Sequence, residues 1–291
     1  MSLRGAVAAT TLALARSASG QSPIGVFDSG VGGLSVLRAM REQMPNESVI
    51  YFGDQGHVPY GPRSMEQIQK FSEGITRFLL EQNSKLIVVA CNTASAAALK
   101  YLRGRFPDVP FVGMEPAVKP AAEITKTGKV GVLATPATFQ GALYASVVER
   151  FGAGVEFFQH TCPGLVGQIE KWDLESNATR AILEDALQPM LEKNIDTVVL
   201  GCTHYPFVIP LIERIVGDNV RVIDPAPSVA RQVKRLLEAG GKMNQTGKKL
   251  GVRFFTSADP ASMKSLLPLL LGNDGEVEAV AWKDDITLFQ V

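Results

Sequence analysis

Two of the chain's three cysteines, Cys91 and Cys202, occupy matching sequence contexts, and this match is the strongest chemical signal in the sequence. Cys91 ends the apolar run Leu86-Ile87-Val88-Val89-Ala90, and Cys202 ends Thr197-Val198-Val199-Leu200-Gly201. Each is followed by small hydroxyl-bearing residues. A thiol at the carboxyl end of a buried strand and the start of a helix lies where amide N–H groups and the helix dipole favour negative charge. One such cysteine would ordinarily be a small core hydrophobe. Two in equivalent places suit a reaction that needs one group on each face of a carbon. Racemisation is such a reaction: a base removes the α-proton from one face while an acid returns a proton to the other, and reversibility gives each group both roles. His204 lies two residues from Cys202 and is either a loop-orienting residue or a proton-transfer partner. A cysteine hydrolase would pair Cys202 with His204 but would leave Cys91 without a purpose. A binding protein that has lost catalysis would have no need of both thiols.

Around these groups are residues suited to hold an amino acid. Asp28 follows the apolar run Ile24–Phe27 and precedes Gly30, Gly32 and Gly33, so its carboxylate either faces a cleft or caps the turn. The glycine spacing matches neither a dinucleotide fingerprint nor a phosphate-binding loop, and it is read as backbone amides that a carboxylate can approach closely. Tyr60-Gly61 and Asn92-Thr93 offer hydroxyl, amide and backbone donors for charged ends.

The elements that position these residues have the rhythm of parallel α/β units. Apolar runs at residues 24–27, 49–52 and 86–90 read as strands, each leaving its polar residues at the carboxyl end. Between the last two, a helix of period 3.6 is predicted from Met65 to Gln82, with Ile68, Phe71, Ile75, Phe78 and Leu79 on one side. The order then recurs: a strand at 129–133 exits through Thr135 and Thr138, a helix covers about 178–193, and a strand at 197–200 delivers Cys202. The predicted fold class is α/β, as two pseudo-symmetric α/β domains with mostly parallel sheets and an active site in the cleft between them. Linkers at 113–116 and 224–227 divide the chain into a discontinuous first domain, 23–113 plus 225–291, and a second, 114–224. Beyond Ala226 the chain reads as mostly helical, with one more apolar run near Val277–Trp282.

Composition excludes several other functions. Lysine plus arginine equals aspartate plus glutamate at 29 each, which gives no net field for a polyanion. Three widely spaced cysteines form no disulfide framework, and the lack of a CxxC pair leaves no zinc motif, so no metal is expected. Residues 1–22 form an N-terminal extension with no acid through Gln21, two arginines and an apolar stretch from Ala6 to Ala15. It reads as a floppy or weakly helical extension, although a signal or transit segment would look similar, and its apolar stretch is too short to span a bilayer.

Taken together, Val26-Phe27-Asp28-Ser29-Gly30-Val31-Gly32-Gly33-Leu34, Val58-Pro59-Tyr60-Gly61, Val89-Ala90-Cys91-Asn92-Thr93-Ala94-Ser95 and Leu200-Gly201-Cys202-Thr203-His204-Tyr205-Pro206 resemble the glutamate racemase family of the aspartate/glutamate racemase superfamily. The resemblance implies interconversion of L- and D-glutamate without a cofactor, supplying D-glutamate for peptidoglycan in the cytoplasm. It implies that Cys91 takes the α-proton from D-glutamate and Cys202 from L-glutamate. Asp28 would assist Cys91, while His204 and Glu170 would assist Cys202. Substrate-binding positions would be Asp28, Ser29, Tyr60, Gly61, Asn92, Thr93, Thr135, Thr138, Thr203 and His204. Cys162 is taken as structural, and His57 stands where the family often has arginine. The expected partners are the small-molecule substrate and a second copy of the chain in a homodimer, with neither nucleic acid nor a membrane as a primary partner. An aspartate or hydantoin racemase is the nearest alternative.

Overall fold

The protein is described here from a computed structural model covering residues 19–272 and 274–291. Most of the expected extension, residues 1–18, lies outside the described residues.

Two mostly parallel sheets form the framework. The first contains β1 (Ile24–Asp28), β2 (Val49–Gly53), β3 (Leu86–Val89) and β4 (Phe111–Gly113). Its helices are α1 (Leu34–Gln43), α2 (Met65–Glu81) and α3 (Asn92–Arg105). The chain continues through α4 (Val118–Ile124) into the second sheet, with β5 (Lys129–Ala134), β6 (Glu156–His160), β7 (Thr197–Gly201) and β8 (Arg221–Ile223). Helices α5 (Pro136–Gln140), α6 (Ala142–Phe151), α7 (Leu165–Glu170), α8 (Asn177–Glu192) and α9 (Ile209–Val216) accompany them. After β8 the chain returns through α10 (Ala226–Ala239), which packs on α1. It then adds β9 (Val252–Thr256), α11 (Pro260–Leu271), β10 (Val277–Trp282) and β11 (Leu288–Gln290) to the first sheet.

The repeat seen in the sequence has a topological counterpart. Strands β1 to β4 are ordered β2-β1-β3-β4, and β5 to β8 are ordered β6-β5-β7-β8. All the pairings within these two sets are parallel. In each set the chain steps to one side and then returns to the other, which opens a crevice at the strand carboxyl ends. Asp28 and Cys91 stand at this switch point in the first sheet, and Thr135 and Cys202 stand at the equivalent point in the second.

Helix α2 follows from its pattern and its cap. Ile68, Phe71, Ile75, Phe78 and Leu79 are all buried. The Ser64 hydroxyl accepts from the Gln67 amide while the Gln67 side chain accepts from the Ser64 amide, a reciprocal capping box. The reading of the tail as mostly helical needs correction. β9 pairs with β2 and β10 in parallel, and β11 closes the edge antiparallel to β10. Val252-Arg253-Phe254-Phe255-Thr256 carries an arginine, and one of its two pairing partners, β2, lies about two hundred residues away, so its own residues give only a weak strand signal.

At the base of the second sheet, Asp196 holds the turn that leads into β5. It accepts from the Thr125 hydroxyl at 2.6 Å and from the amides of Lys126 and Thr127. Partial burial pushes this carboxyl up, but these donors outweigh it and hold it at about 2, against an ordinary 3.8. A depressed value in the folded state means the stabilisation is complete above pH 3.8 and is lost as pH falls toward 2. Asp196→Asn is therefore expected to lower stability at neutral pH, with the gap from the parent narrowing across that acid window. Urea unfolding at a series of pH values measures it, and a gap independent of pH would contradict the assignment.

Candidate active site

Cys91 and Cys202 line one cavity, approached from the two sheets. Cys91 is the N-cap of α3, and its sulfur accepts from the Ala94 amide at 3.4 Å and faces the Ser29 hydroxyl at 3.7 Å. Burial raises this thiol well above its ordinary range, and the nearby Asp28 charge adds to the effect. Cys202 departs from the expectation that both thiols open helices. Pro206 and Pro210 interrupt regular helix formation, so Cys202 is followed by a turn and a short 3-10 segment, Tyr205–Val208, before α9 begins. In place of a helix end, its sulfur has the His204 Nδ1 at 3.8 Å.

His204 is 2% exposed, and its Nε2 lies 2.6 Å from Glu170 Oε1. Burial opposes the imidazolium, but the Cys202 sulfur and the Glu170 carboxylate outweigh it and raise the ring well above 6.5. Burial likewise raises Glu170, yet its bonds to His204, Val31 and Gln55 bring the carboxyl below its ordinary value. The resulting ion pair lies on the side of the second sheet, where Glu170 ends α7, and the Val31 amide that donates to it at 2.9 Å reaches across from the β1–α1 loop.

The glycines of that loop make room for this arrangement. A Cβ on Gly30 would fall 2.0 Å from Glu170 Oε1, one on Gly32 would fall 2.4 Å from His204 Nδ1, and one on Gly33 would fall 2.7 Å from the Asp28 Cβ. The carboxylates approached by the loop amides are the protein's own, Glu170 by Val31 and Asp28 by Gly30.

Asp28 is fully buried. Its oxygens accept from the Gly30 amide at 2.8 Å and from the Thr203 hydroxyl at 3.0 Å. Burial raises its carboxyl, while the His204 charge and these donors pull the other way. Its influence on Cys91 is electrostatic.

The remaining expected residues fall into three groups. Ser29, Gly61, Thr93 and Thr203 line the cavity. Thr93 Oγ1 meets Thr135 Oγ1 at 2.8 Å, joining the two sheets, and Thr138 stands behind Thr135 at 3.0 Å. Tyr60 lines the cavity, but its hydroxyl donates to Asp54 at 2.6 Å, leaving the neighbouring backbone as the donor toward a ligand. Asn92 is 3% exposed, and neither its amide oxygen nor its nitrogen has a protein partner. A buried, unspent amide in a cavity wall is a binding group. The cavity is only about 20 Å³, room for about one water molecule, so its walls must part to admit any amino acid.

Several contributors escaped the sequence reading. Pro59 and Val166 also line the cavity. Fully buried Asp54 gathers Tyr60, His57, Ser257 and Trp282, and Gln55 donates to Glu170. Asp54 and Gln55 directly follow a strand's carboxyl end, a position that does flag functional residues. Their partners in the last third of the chain have no such signal.

Comparison with known proteins agrees with this geometry. The profile of the Asp/Glu/Hydantoin racemases matches residues 24–233. The chain belongs to that racemase family. This racemase is 51% identical over 254 residues to the glutamate racemase of Pseudomonas aeruginosa, covering 87% of this chain and 96% of the relative. The glutamate racemase of Francisella tularensis in complex with D-glutamate superposes with a TM-score of 0.79 at 32% identity, covering 91% of this chain and 98% of that one. The Escherichia coli glutamate racemase in complex with L-glutamate and an activator, UDP-MurNAc-ala, gives 0.78 at 33% identity, covering 89% and 98%.

Two expectations follow for the racemase. Gly30→Ala must displace Glu170 and is expected to lower turnover by about 100-fold. Unchanged kinetics would show that the close approach is dispensable. In Glu170→Gln the imidazolium loses its anionic partner, so the His204 ring should titrate at lower pH, as followed by NMR of the labelled ring. An unmoved titration would remove Glu170 as the source of the shift.

Proposed function

We propose that this chain interconverts L- and D-glutamate by cofactor-independent, two-thiol proton transfer, supplying D-glutamate for peptidoglycan in the cytoplasm. The observation that carries this reading is the placement of two thiols at equivalent switch points of two parallel sheets, lining one cavity. Its support from relatives is that they are glutamate racemases, with D- and L-glutamate complexes among the structural neighbours. Among the described residues no helix is long and apolar enough to cross a membrane.

In the L-to-D direction the Cys202 thiolate takes the α-proton, forming S–H as the Cα–H bond breaks. The Cys91 thiol then delivers its proton to the opposite face. The raised Cys91 thiol suits the acid role, and His204 Nδ1, 3.8 Å from the Cys202 sulfur, is placed to exchange a proton with it. In the reverse direction Cys91 is the base, and Asp28, made more basic by burial, is the nearby proton acceptor. Asn92, the Thr93–Thr135 pair and the Gly61 backbone would bind the ends of the amino acid, where donors at its carboxylate oppose the charge that develops on deprotonation. The domain division proposed with this mechanism is 23–113 plus 225–291 and 114–224. It is supported by the return of β9, β10 and β11 to the first sheet.

The test is incubation with each enantiomer in D2O without added cofactor, following optical rotation and α-deuterium. The parent should lose rotation from both sides, with one α-deuterium in the product. Cys91→Ser and Cys202→Ser should each slow this by about 10²–10⁴-fold. Full activity in either variant would sink the two-thiol mechanism, and turnover of aspartate but not glutamate would sink the substrate assignment.

A further inference from the structure

Gln55 immediately follows the Gly53-Asp54 exit of β2, on the first sheet, yet its side chain reaches Glu170 on the second. Its amide nitrogen donates to Glu170 Oε2 at 3.2 Å. Its amide oxygen accepts from the hydroxyl of fully buried Thr256 at 3.0 Å. The Thr256 oxygen in turn accepts from the Ala258 amide at 3.2 Å. This chain of bonds fixes which way the amide points. The threonine oxygen is occupied by an N–H, so its own proton goes to the glutamine oxygen, and the NH2 group is turned toward a carboxylate that can only accept.

We propose that Gln55 is a positioning residue for the Cys202 half of the reaction, acting through Glu170 and His204. This rests on the two-thiol reading above. Glu170 Oε1 is already shared by the Val31 amide and His204 Nε2, and a carboxylate anchored through one oxygen can swing about it. The bond to Oε2 stops that rotation and keeps Oε1 on the imidazole. The chain Thr256–Gln55–Glu170–His204–Cys202 thus runs from β9, in the last third of the sequence, to the reacting sulfur.

The neutrality of Gln55 matters as much as its reach. A lysine or arginine in its place would also donate to Oε2 but would neutralise Glu170 and compete with His204 for it. A glutamine holds the carboxylate still and leaves its full charge for the imidazolium. The other titratable groups facing the pair are Asp28, Cys202 and Tyr51, and Gln55 touches none of them in the bonds described.

The test is a double-mutant cycle of Gln55→Leu with Glu170→Gln, read as kcat/KM for both enantiomers, with Gln55→Glu as a variant of the same shape. Gln55→Leu alone is expected to lower kcat/KM by about tenfold. In the Glu170→Gln background the same change should cost no more than about twofold, because its route to His204 is already cut. Gln55→Glu sets a second carboxylate against Glu170 and should move the acid limb of the pH profile to higher pH. Equal losses in both backgrounds, or an unmoved limb, would overturn the proposal. Titration of the His204 ring by NMR separates this failure from failure of the racemase reading, since it needs no turnover. The ring should titrate at lower pH in Gln55→Leu, and an unchanged titration overturns the positioning role even if the parent racemises glutamate. An inactive parent whose ring titration still moves keeps the Gln55–Glu170–His204 linkage and discards the two-thiol reading instead. Should Gln55→Leu fail to fold, Gln55→Met removes the same donor with a more adaptable side chain.

Discussion

A parallel strand presents its functional residues at one end only, because the crossover that returns the chain occupies the other. Everything in this molecule depends on that constraint being applied twice. Two sheets with the same order of four strands each open a crevice beside their first strand, and the crevices face each other. The thiols need no long loops to reach a common cavity, because each follows the third strand of its set.

The cost of this arrangement is a concentration of buried charge. Asp28 and Asp54 are fully buried, and His204 and Glu170 nearly so. Each is held by donors aimed by the backbone: Gly30 and Thr203 at Asp28, Val31 and Gln55 at Glu170, Ser257 and Trp282 at Asp54. Such groups offset desolvation only when their bonds are all made. The tight loop of Gly30, Gly32 and Gly33 is a consequence, since a side chain at any of the three would push one of these groups away from its partner.

The parts legible in the sequence were those whose cause is local. The buried runs ending at Asp28, Cys91 and Cys202 read as strands because each is apolar on both faces. Met65–Glu81 read as a helix because its apolar residues recur at the helical period. The matched thiols suggested racemisation, and the family to which the chain belongs is one of racemases. What stayed hidden was non-local. Val252–Thr256 is a strand because β2 and β10 flank it. Gln55 matters because Glu170 arrives from 115 residues away. The Tyr60 hydroxyl looked like a ligand donor, but Asp54 takes it, a competition that spacing alone does not reveal.

The placement of β9 beside β2 has a consequence for synthesis. The growing chain finishes the strands of both thiol-bearing halves by residue 223, while the open edge of β2 still lacks its neighbour. The indole of Trp282, which holds Asp54 and through it Tyr60, emerges later still. On the ribosome the nascent protein therefore carries its reactive groups before the wall that shapes their surroundings. Maturation of the site waits for β9 and β10, so the order of translation separates the making of the reactive groups from the making of their surroundings.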